Sequence, residues 1–413
     1  MFNTIDEVYD YLYNQKKLTK RENLNRIKYA FDALNIKVNY KIIHVAGTNG
    51  KGSTCQMIKN ILMLKGLHVG MFVSPYVIEF NERIQVNDRL ISNSEIMYYA
   101  NILYEFNEKY KKEYNDVIPF FELTLLMALM YYQDREIDYL VLECGLGGLL
   151  DSTNFLNTDL AIITNIGYDH QEQLGNTLED ISNHKLGIVK PNMTCFTACD
   201  TFLMNHFNEY AKNNNSNIIN IRDNVKNISL TDDYTCFEYK NITFKTNLLG
   251  LYQAYNASLA IEAIKYFYHD YPNELIDYAL TNIFWPGRLE FIDKNIIIDG
   301  AHNISAIKEL INTLKALKFK KIKIIFYALK DKNYKDMLNE LNKICSKFYF
   351  TNILDTRSSN IEDFINYITS DYEIIDDYIE CYKKAKDELL DDELLLITGS
   401  LHFISTMRKL KDL

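Results

Sequence analysis

The sequence predicts an α/β protein of two domains: a parallel sheet with a phosphate-binding loop, then a smaller α/β unit. Three observations carry this. The apolar segment Ile42 to Ala46 runs into Gly47-Thr48-Asn49-Gly50-Lys51-Gly52-Ser53-Thr54, and then into apolar residues Met57, Ile58, Ile61, Leu62 and Leu64 at helical spacing. Two further apolar runs, Tyr139 to Leu142 and Leu160 to Thr164, each deliver polar residues at their ends. After Trp285-Pro286-Gly287 a strand and helix alternation restarts, which places the domains at 1–285 and 286–413.

The glycine-rich loop is a phosphate cradle in layout. Glycines let successive N–H groups turn toward one point, the helix N-terminus adds partial positive charge, and Lys51 adds a full charge for the outer phosphates of a nucleotide. Gly52 separates Lys51 from Ser53 and Thr54, whereas the common motif has Ser or Thr directly after the lysine, so this loop is a variant. The bland alternative is a turn that binds nothing, and the strand before and helix after weigh against it.

Composition excludes several classes. A chain of 413 residues, 47% hydrophobic and 24% charged, is long enough for two cores. It has no run of about 18 apolar residues and no basic-then-apolar leader, so a cytoplasmic protein with no membrane partner is expected. A net charge of −10 argues against nucleic acid as a partner. Seven scattered cysteines fit reduced thiols, and the one close pair, Cys195 and Cys199, lacks the second pair of a zinc site and is expected in the core.

Taken in order, residues 1 to about 40 read as helical, because Leu24, Ile27, Phe31 and Leu34 step by three and four. Gly66 is placed as the cap of the helix after the loop and Leu67 to Val73 as the next strand, a parallel strand-helix-strand unit. Ser74-Pro75-Tyr76 ends that strand, and Asn81 to Asn87 alternates polar and apolar. A helical region from about Ser94 to Gln133, broken near Pro119, precedes the strand that ends in Glu143. A carboxylate there lies at the carboxyl edge of the sheet, where open α/β folds hold ligands, and Leu160 to Thr164 brings Asn165, Asp169 and His170 to the same edge. Beyond Pro191 the chain reads as irregular, with strand-like pieces from Cys236 to Phe244 and a helix from Asn256 to Phe267. Strands of the second domain are expected at Asn295 to Ile298, Ile322 to Phe326, Phe348 to Phe350 and Leu394 to Ile397.

Lys51, Glu143 and His170 thus come from three strand ends, the way an open parallel sheet assembles a site. Magnesium takes oxygen ligands and keeps some waters, so Glu143 with a hydroxyl and phosphate oxygens is a credible set. Alone, a strand-end Glu is an ordinary loop residue and a lone loop His an ordinary hydrogen-bonding group; the phosphate loop changes that weighting.

The motifs also occur in the order found in a known family. The phosphate loop is followed by Ser74-Pro75, Phe80-Asn81-Glu82-Arg83-Ile84, Phe121-Glu122 and Leu142-Glu143-Cys144-Gly145-Leu146-Gly147-Gly148 with Asp151-Ser152-Thr153-Asn154. Then come Thr164-Asn165-Ile166-Gly167-Tyr168-Asp169-His170, Lys185-Leu186-Gly187-Ile188-Val189-Lys190, Gln253 with Asn256-Ala257, Trp285-Pro286-Gly287-Arg288-Leu289-Glu290, Asp299-Gly300-Ala301-His302-Asn303 and Gly399-Ser400-Leu401. Across nearly the whole chain this series resembles the folylpolyglutamate and dihydrofolate synthases, relatives of the Mur ligases.

The resemblance implies a P-loop NTPase-like domain followed by a Rossmann-like one, and an ATP-dependent ligase that joins L-glutamate to the carboxylate of a folate or dihydropteroate. It implies ATP contacts from Thr48, Asn49, Gly50, Lys51, Gly52, Ser53, Asn256, Arg288, Asp299 and His302. Ser74, Glu143 and His170 would hold magnesium, with or without a monovalent cation nearby, and Lys185 would be carbamylated. Asp151, Ser152 and Glu122 match positions beside the pteridine, and Lys51, Lys185 and His170 are the catalytic candidates. A monomer acting on small molecules is expected.

The chemistry accounts for these residue types. A carboxylate is a poor acyl donor, so ATP first makes it an acyl phosphate, with cations on the transferring oxygens, and the glutamate amine then attacks through a tetrahedral oxyanion. Leu149, Pro119, Tyr252 and Ile304 depart from the family's common residues; none removes a phosphate, metal or carbamate position. A Mur-type ligase of cell-wall precursors is the alternative, but it should carry a further N-terminal domain, and only about 40 residues precede the loop. A non-ligating nucleotide switch would need an Asn-Lys-x-Asp segment, absent from the strands that could carry it.

Overall fold

Five of the six residues in β1 (Lys41–Ala46) are buried. A strand buried on both faces belongs in the middle of a covered parallel sheet. The computed structural model describes residues 1–15, 23–317, 319–330, 332–353 and 359–411. The chain forms two compact units, Met1–Asn224 with Tyr255–Leu280, and Val225–Ala254 with Thr281–Leu413.

In the first unit, α1 (Ile5–Asn14) and α2 (Asn25–Ala33) precede β1, and residues 34–40 are not helical. Asn35 takes a left-handed φ of 53° and ends that periodicity, a conformation Asn tolerates. The part of the helical expectation on residues 16–22 lies outside the described residues. After α3 (Lys51–Leu64) come β2 (Val69–Phe72), β3 (Ile84–Val86), β4 (Arg89–Leu90), α4 (Asn93–Tyr114) and α5 (Phe120–Asp134). They are followed by β5 (Tyr139–Glu143), β6 (Leu160–Ile163), the short α6 (Gln171–Leu174), α7 (Leu178–Leu186), β7 (Thr194–Thr197), α8 (Met204–Asn213) and β8 (Asn217–Asn220). The stretch beyond Pro191 is therefore regular, contrary to the sequence reading.

The sheet runs β4-β3-β2-β5-β1-β6-β7-β8, parallel from β2 to β8. The strands on either side of α3 are not neighbours, because β5 lies between them. Its register sets Glu143 beside Val45 and Leu142 beside Phe72. Helices α1, α2, α4 and α5 pack one core around Leu126, Met127 and Tyr131, and α7 and α8 pack another around Ile181, Leu186 and Phe207.

The second unit starts with an antiparallel sheet of β9 (Val225–Leu230), β10 (Thr235–Tyr239) and β11 (Ile242–Thr246), in the order β11-β10-β9. The chain then passes through α9 (Gln253–Phe267) and α10 (Asn273–Thr281) to β12 (Glu290–Asp293), β13 (Ile296–Asp299), α11 (Ile304–Ala316), β14 (Lys321–Phe326) and α12 (Tyr334–Leu341). It ends with β15 (Cys345–Asn352), α13 (Ile361–Ile365), β16 (Asp371–Asp377), α14 (Tyr378–Asp387), β17 (Glu393–Thr398) and α15 (Leu401–Arg408). These strands order as β12-β13-β17-β14-β15-β16, parallel except for edge strand β12. Helices α11 to α13 cover one face and α14 and α15 the other. Among the described residues no helix is long and apolar enough to cross a membrane.

Candidate functional site

The phosphate loop leaves the carboxyl end of β1 and enters α3 through Gly50, whose φ of 83° suits glycine. A Cβ there would fall 2.5 Å from Oδ1 of Asn256 on α9, so glycine also permits that close approach. The loop after β6 holds the phosphate loop in shape. The N–H of Thr48 donates to the Asn165 carbonyl over 3.0 Å and that of Asn49 to Asn165 Oδ1 over 2.8 Å. Thr164 Oγ1 donates to the Asn49 carbonyl over 2.6 Å, and Thr48 Oγ1 to the Gly167 carbonyl over 3.0 Å. The ammonium of Lys51 rests on the carbonyls of Gly47 and Thr48, at 3.0 and 3.2 Å. Those weak acceptors are what a phosphate oxygen would replace.

Next to this loop, β2 and β5 bring Ser74 and Glu143 together. The Ser74 N–H donates to Glu143 Oε2 over 2.9 Å, and the Glu143 side chain is buried. His170 caps α6 with φ of 51° and lies 40% exposed, Nε2 3.8 Å from Asp169 Oδ2. Among the described residues no three His, Cys, Asp or Glu side chains gather as a metal group. A carboxylate beside a serine nonetheless suits a hard cation whose other ligands are phosphate oxygens and water.

Lys185 lies in the last turn of α7 and is only 3% exposed. Burial, reinforced by the Lys51 charge, lowers its amine from 10.5 to about 7. At neutral pH a sizeable fraction is therefore uncharged, the form that can take up carbon dioxide. Gly148 makes this packing possible, since a Cβ there would lie 2.6 Å from the His184 carbonyl.

The segment expected beside the acceptor is tied down from several sides. Asp151 Oδ2 accepts from Leu146 N at 2.7 Å, and its Oδ1 accepts from Thr153 N and Oγ1 at 3.0 and 2.6 Å. Glu122, 2% exposed, takes Nε and Nη2 of Arg26 at 2.9 and 3.0 Å and lies 3.4 Å from Ser152 Oγ. Asp151 and Glu122 thus organise their own surroundings first.

Three further residues stand outside the expected site set. His44, wholly buried in β1, pairs through Nε2 with Thr153 Oγ1 at 2.8 Å and Cys144 Sγ at 3.0 Å. Burial lowers it to about 3, so it stays neutral. Since Thr153 Oγ1 donates to Asp151, it accepts from His44 in the tautomer that carries its hydrogen on Nε2. Arg83, 7% exposed, lies within 5.2 to 5.8 Å of the Tyr76, Phe80 and Phe120 rings, and burial depresses its guanidinium. Arg26 is one of the polar residues between the apolar positions Leu24, Ile27, Phe31 and Leu34, and nothing in the sequence singles it out. The available signals are the polar residue interrupting an apolar run, at His44, and the motif Phe80-Asn81-Glu82-Arg83-Ile84 around Arg83.

In the second unit Asp299 ends β13 and accepts from Leu289 N and Ala301 N at 2.8 and 2.9 Å. Burial pushes its carboxyl up against the pull of Arg288. Arg288 Nη1 lies 3.2 Å from the Gly287 carbonyl, and His302 Nδ1 2.8 Å from that of Gly300.

Residues 45–264 match the Mur ligase middle domain and 287–401 the Mur ligase glutamate ligase domain. A dihydrofolate synthase/folylpolyglutamate synthase of Bacillus subtilis is 32% identical, over 99% of both chains. A folylpolyglutamate synthase of Lacticaseibacillus casei is 30% identical, over 98% of this chain and 97% of its own. Among solved structures, E. coli FolC in complex with DHPP and ADP superposes with a TM-score of 0.88 at 25% identity, covering 99% of this chain and 98% of its own. The apo form of the L. casei enzyme superposes with 0.85 at 27% identity, over 98% and 99%.

Proposed function

Because the chain belongs to the dihydrofolate synthase/folylpolyglutamate synthase family of Mur ligases, we propose that it joins L-glutamate to the carboxylate of a folate or dihydropteroate at the expense of ATP, through an acyl phosphate. The observation that carries this reading is one sheet edge that presents the phosphate loop, the Ser74 and Glu143 pair, and the buried Lys185 amine.

Residues Thr48 to Ser53 cradle the phosphates with the donors of a helix N-terminus, and Lys51 moves from the loop carbonyls onto the transferring phosphoryl oxygens. Asn256 faces the same loop, and Arg288, Asp299 and His302 are the further residues assigned to the nucleotide. Ser74, Glu143 and His170 are the residues that would hold magnesium, which when bound neutralises charge on the phosphate oxygens. Lys185, uncharged in part at neutral pH, accepts carbon dioxide and so turns from a repelling cation beside Lys51 into an anion. Asp151, Ser152 and Glu122 shape the acceptor side, where Arg83 supplies a buried cation for an anionic substrate. The division of labour at 285/286, the monomer and the cytoplasmic location belong to the same reading.

Labelled glutamate, offered with dihydropteroate or tetrahydrofolate separately, tests it. Amide product and ADP should form only when ATP, glutamate and a pteridine acid are all present. ADP release that ignores both substrates would contradict the reading and favour a nucleotide switch.

A further inference from the structure

The turn that presents Arg288 is strained and is held by groups from two other elements. Gly287 and Leu289 both take left-handed φ, 69° and 43°. For leucine that conformation is costly and persists only when its surroundings fix it. From one side, Asp299 accepts the Leu289 N–H at 2.8 Å. From the other, Glu290 Oε2 accepts the Gly287 N–H at 2.8 Å. Glu290 sits on edge strand β12, and its carboxylate is gripped by Arg408, the last residue of α15.

That grip is a fork. Arg408 Nε lies 2.9 and 3.1 Å from the two carboxylate oxygens and Nη2 lies 2.8 Å from Oε1. Both side chains are about five-sixths buried, at 15% and 16% exposed. A planar guanidinium on a carboxylate fixes direction as well as distance, which a lysine cannot do. The Gly287 carbonyl in turn takes Gly300 N at 3.0 Å and Arg288 Nη1 at 3.2 Å. The line of contacts runs from Arg408 through Glu290 and Gly287 to the guanidinium of Arg288.

We propose that Arg408 is a positioning residue for nucleotide binding: by orienting Glu290 it fixes the strained turn that aims Arg288. The inference rests on the reading of Arg288 as an ATP contact. Arg408 itself lies beyond the stretch matching the glutamate ligase domain, which ends at 401.

The test is a mutant cycle read as separate KM values for ATP, glutamate and acceptor. Arg408→Met, which keeps the aliphatic bulk, should raise the KM for ATP about tenfold, the worth of a charge-assisted contact. The other two KM values should not move, whereas a general loss of folding would lower kcat and leave all three KM values as they are. Arg408→Lys, which keeps the charge without the fork, should show the same split at smaller size and decides the matter if the methionine variant does not fold. Combined with Arg288→Ala, Arg408→Met should add nothing further. A wild-type KM for ATP in both Arg408 variants, or full additivity with Arg288→Ala, would overturn the inference while leaving the ligase reading intact. An unchanged KM for ATP in Arg288→Ala alone would overturn the role of Arg288, and the inference with it.

Discussion

The backbone N–H of Ser74 donates to Oε2 of Glu143 over 2.9 Å, tying the carboxyl ends of β2 and β5 together at the mouth of the phosphate loop. Glu143→Gln keeps an oxygen for that bond and removes only the charge. The variant should fold as the parent does, bind ADP, and ligate at least about 100-fold more slowly, the usual loss when a group at the developing charge is removed. Thermal unfolding, ADP titration and steady-state turnover separate these outcomes. Normal turnover would remove Glu143 from the mechanism.

Lys185, lowered to about 7 by burial and by Lys51, should carry a carbamate in solution. With 13C-bicarbonate, a carbamate carbon signal should appear in the wild type and be absent in Lys185→Ala. That variant should still bind ATP but lose ligation, and excess acetate should restore part of it. Because the protonated amine cannot take up carbon dioxide, wild-type turnover should fall as pH drops through about 7. A flat profile across that range would contradict this role.

His44 makes the fold sensitive to acid. Its folded value of about 3 lies below the unfolded 6.5, so between these limits the unfolded chain binds more protons and stability falls as pH falls. The contribution is at most about 1.4 kcal/mol per pH unit within that window. Urea unfolding at several pH values should show His44→Gln less pH-dependent than the parent between pH 6 and 4. Equal slopes would show that the imidazole does not titrate in this way.

Arg26 and Glu122 form a buried pair, 18% and 2% exposed. Arg26→Met leaves a carboxylate buried and should cost about 3 kcal/mol in urea unfolding, whereas Arg26→Met with Glu122→Gln should recover most of it. The acceptor KM should stay raised in the double variant, because Ser152 loses its charged neighbour. Recovery of both stability and acceptor KM would make the pair purely structural.

Local chemistry explains what could be read in advance. Three glycines and a lysine between an apolar strand and a helix, and a glutamate at the end of an apolar strand, are patterns within a dozen residues. Strand neighbours are not such a pattern, and nothing in β1 or β2 tells that β5 separates them. Strands β8 and β16 were missed because they are half-exposed edges, rich in Asn and Asp, where alternation is weak. The roles of Arg26 and His44 are hidden for another reason. Their partners Glu122 and Thr153 lie 96 and 109 residues further on, and only the folded sheet brings them together.

The central claim, that ATP makes the acceptor carboxylate reactive toward an amine, is tested most directly with an acceptor labelled with 18O in that carboxylate. Phosphate released during ligation should carry one atom of the label, because the acyl phosphate leaves with an acceptor oxygen. Unlabelled phosphate formed in step with amide product would contradict the account.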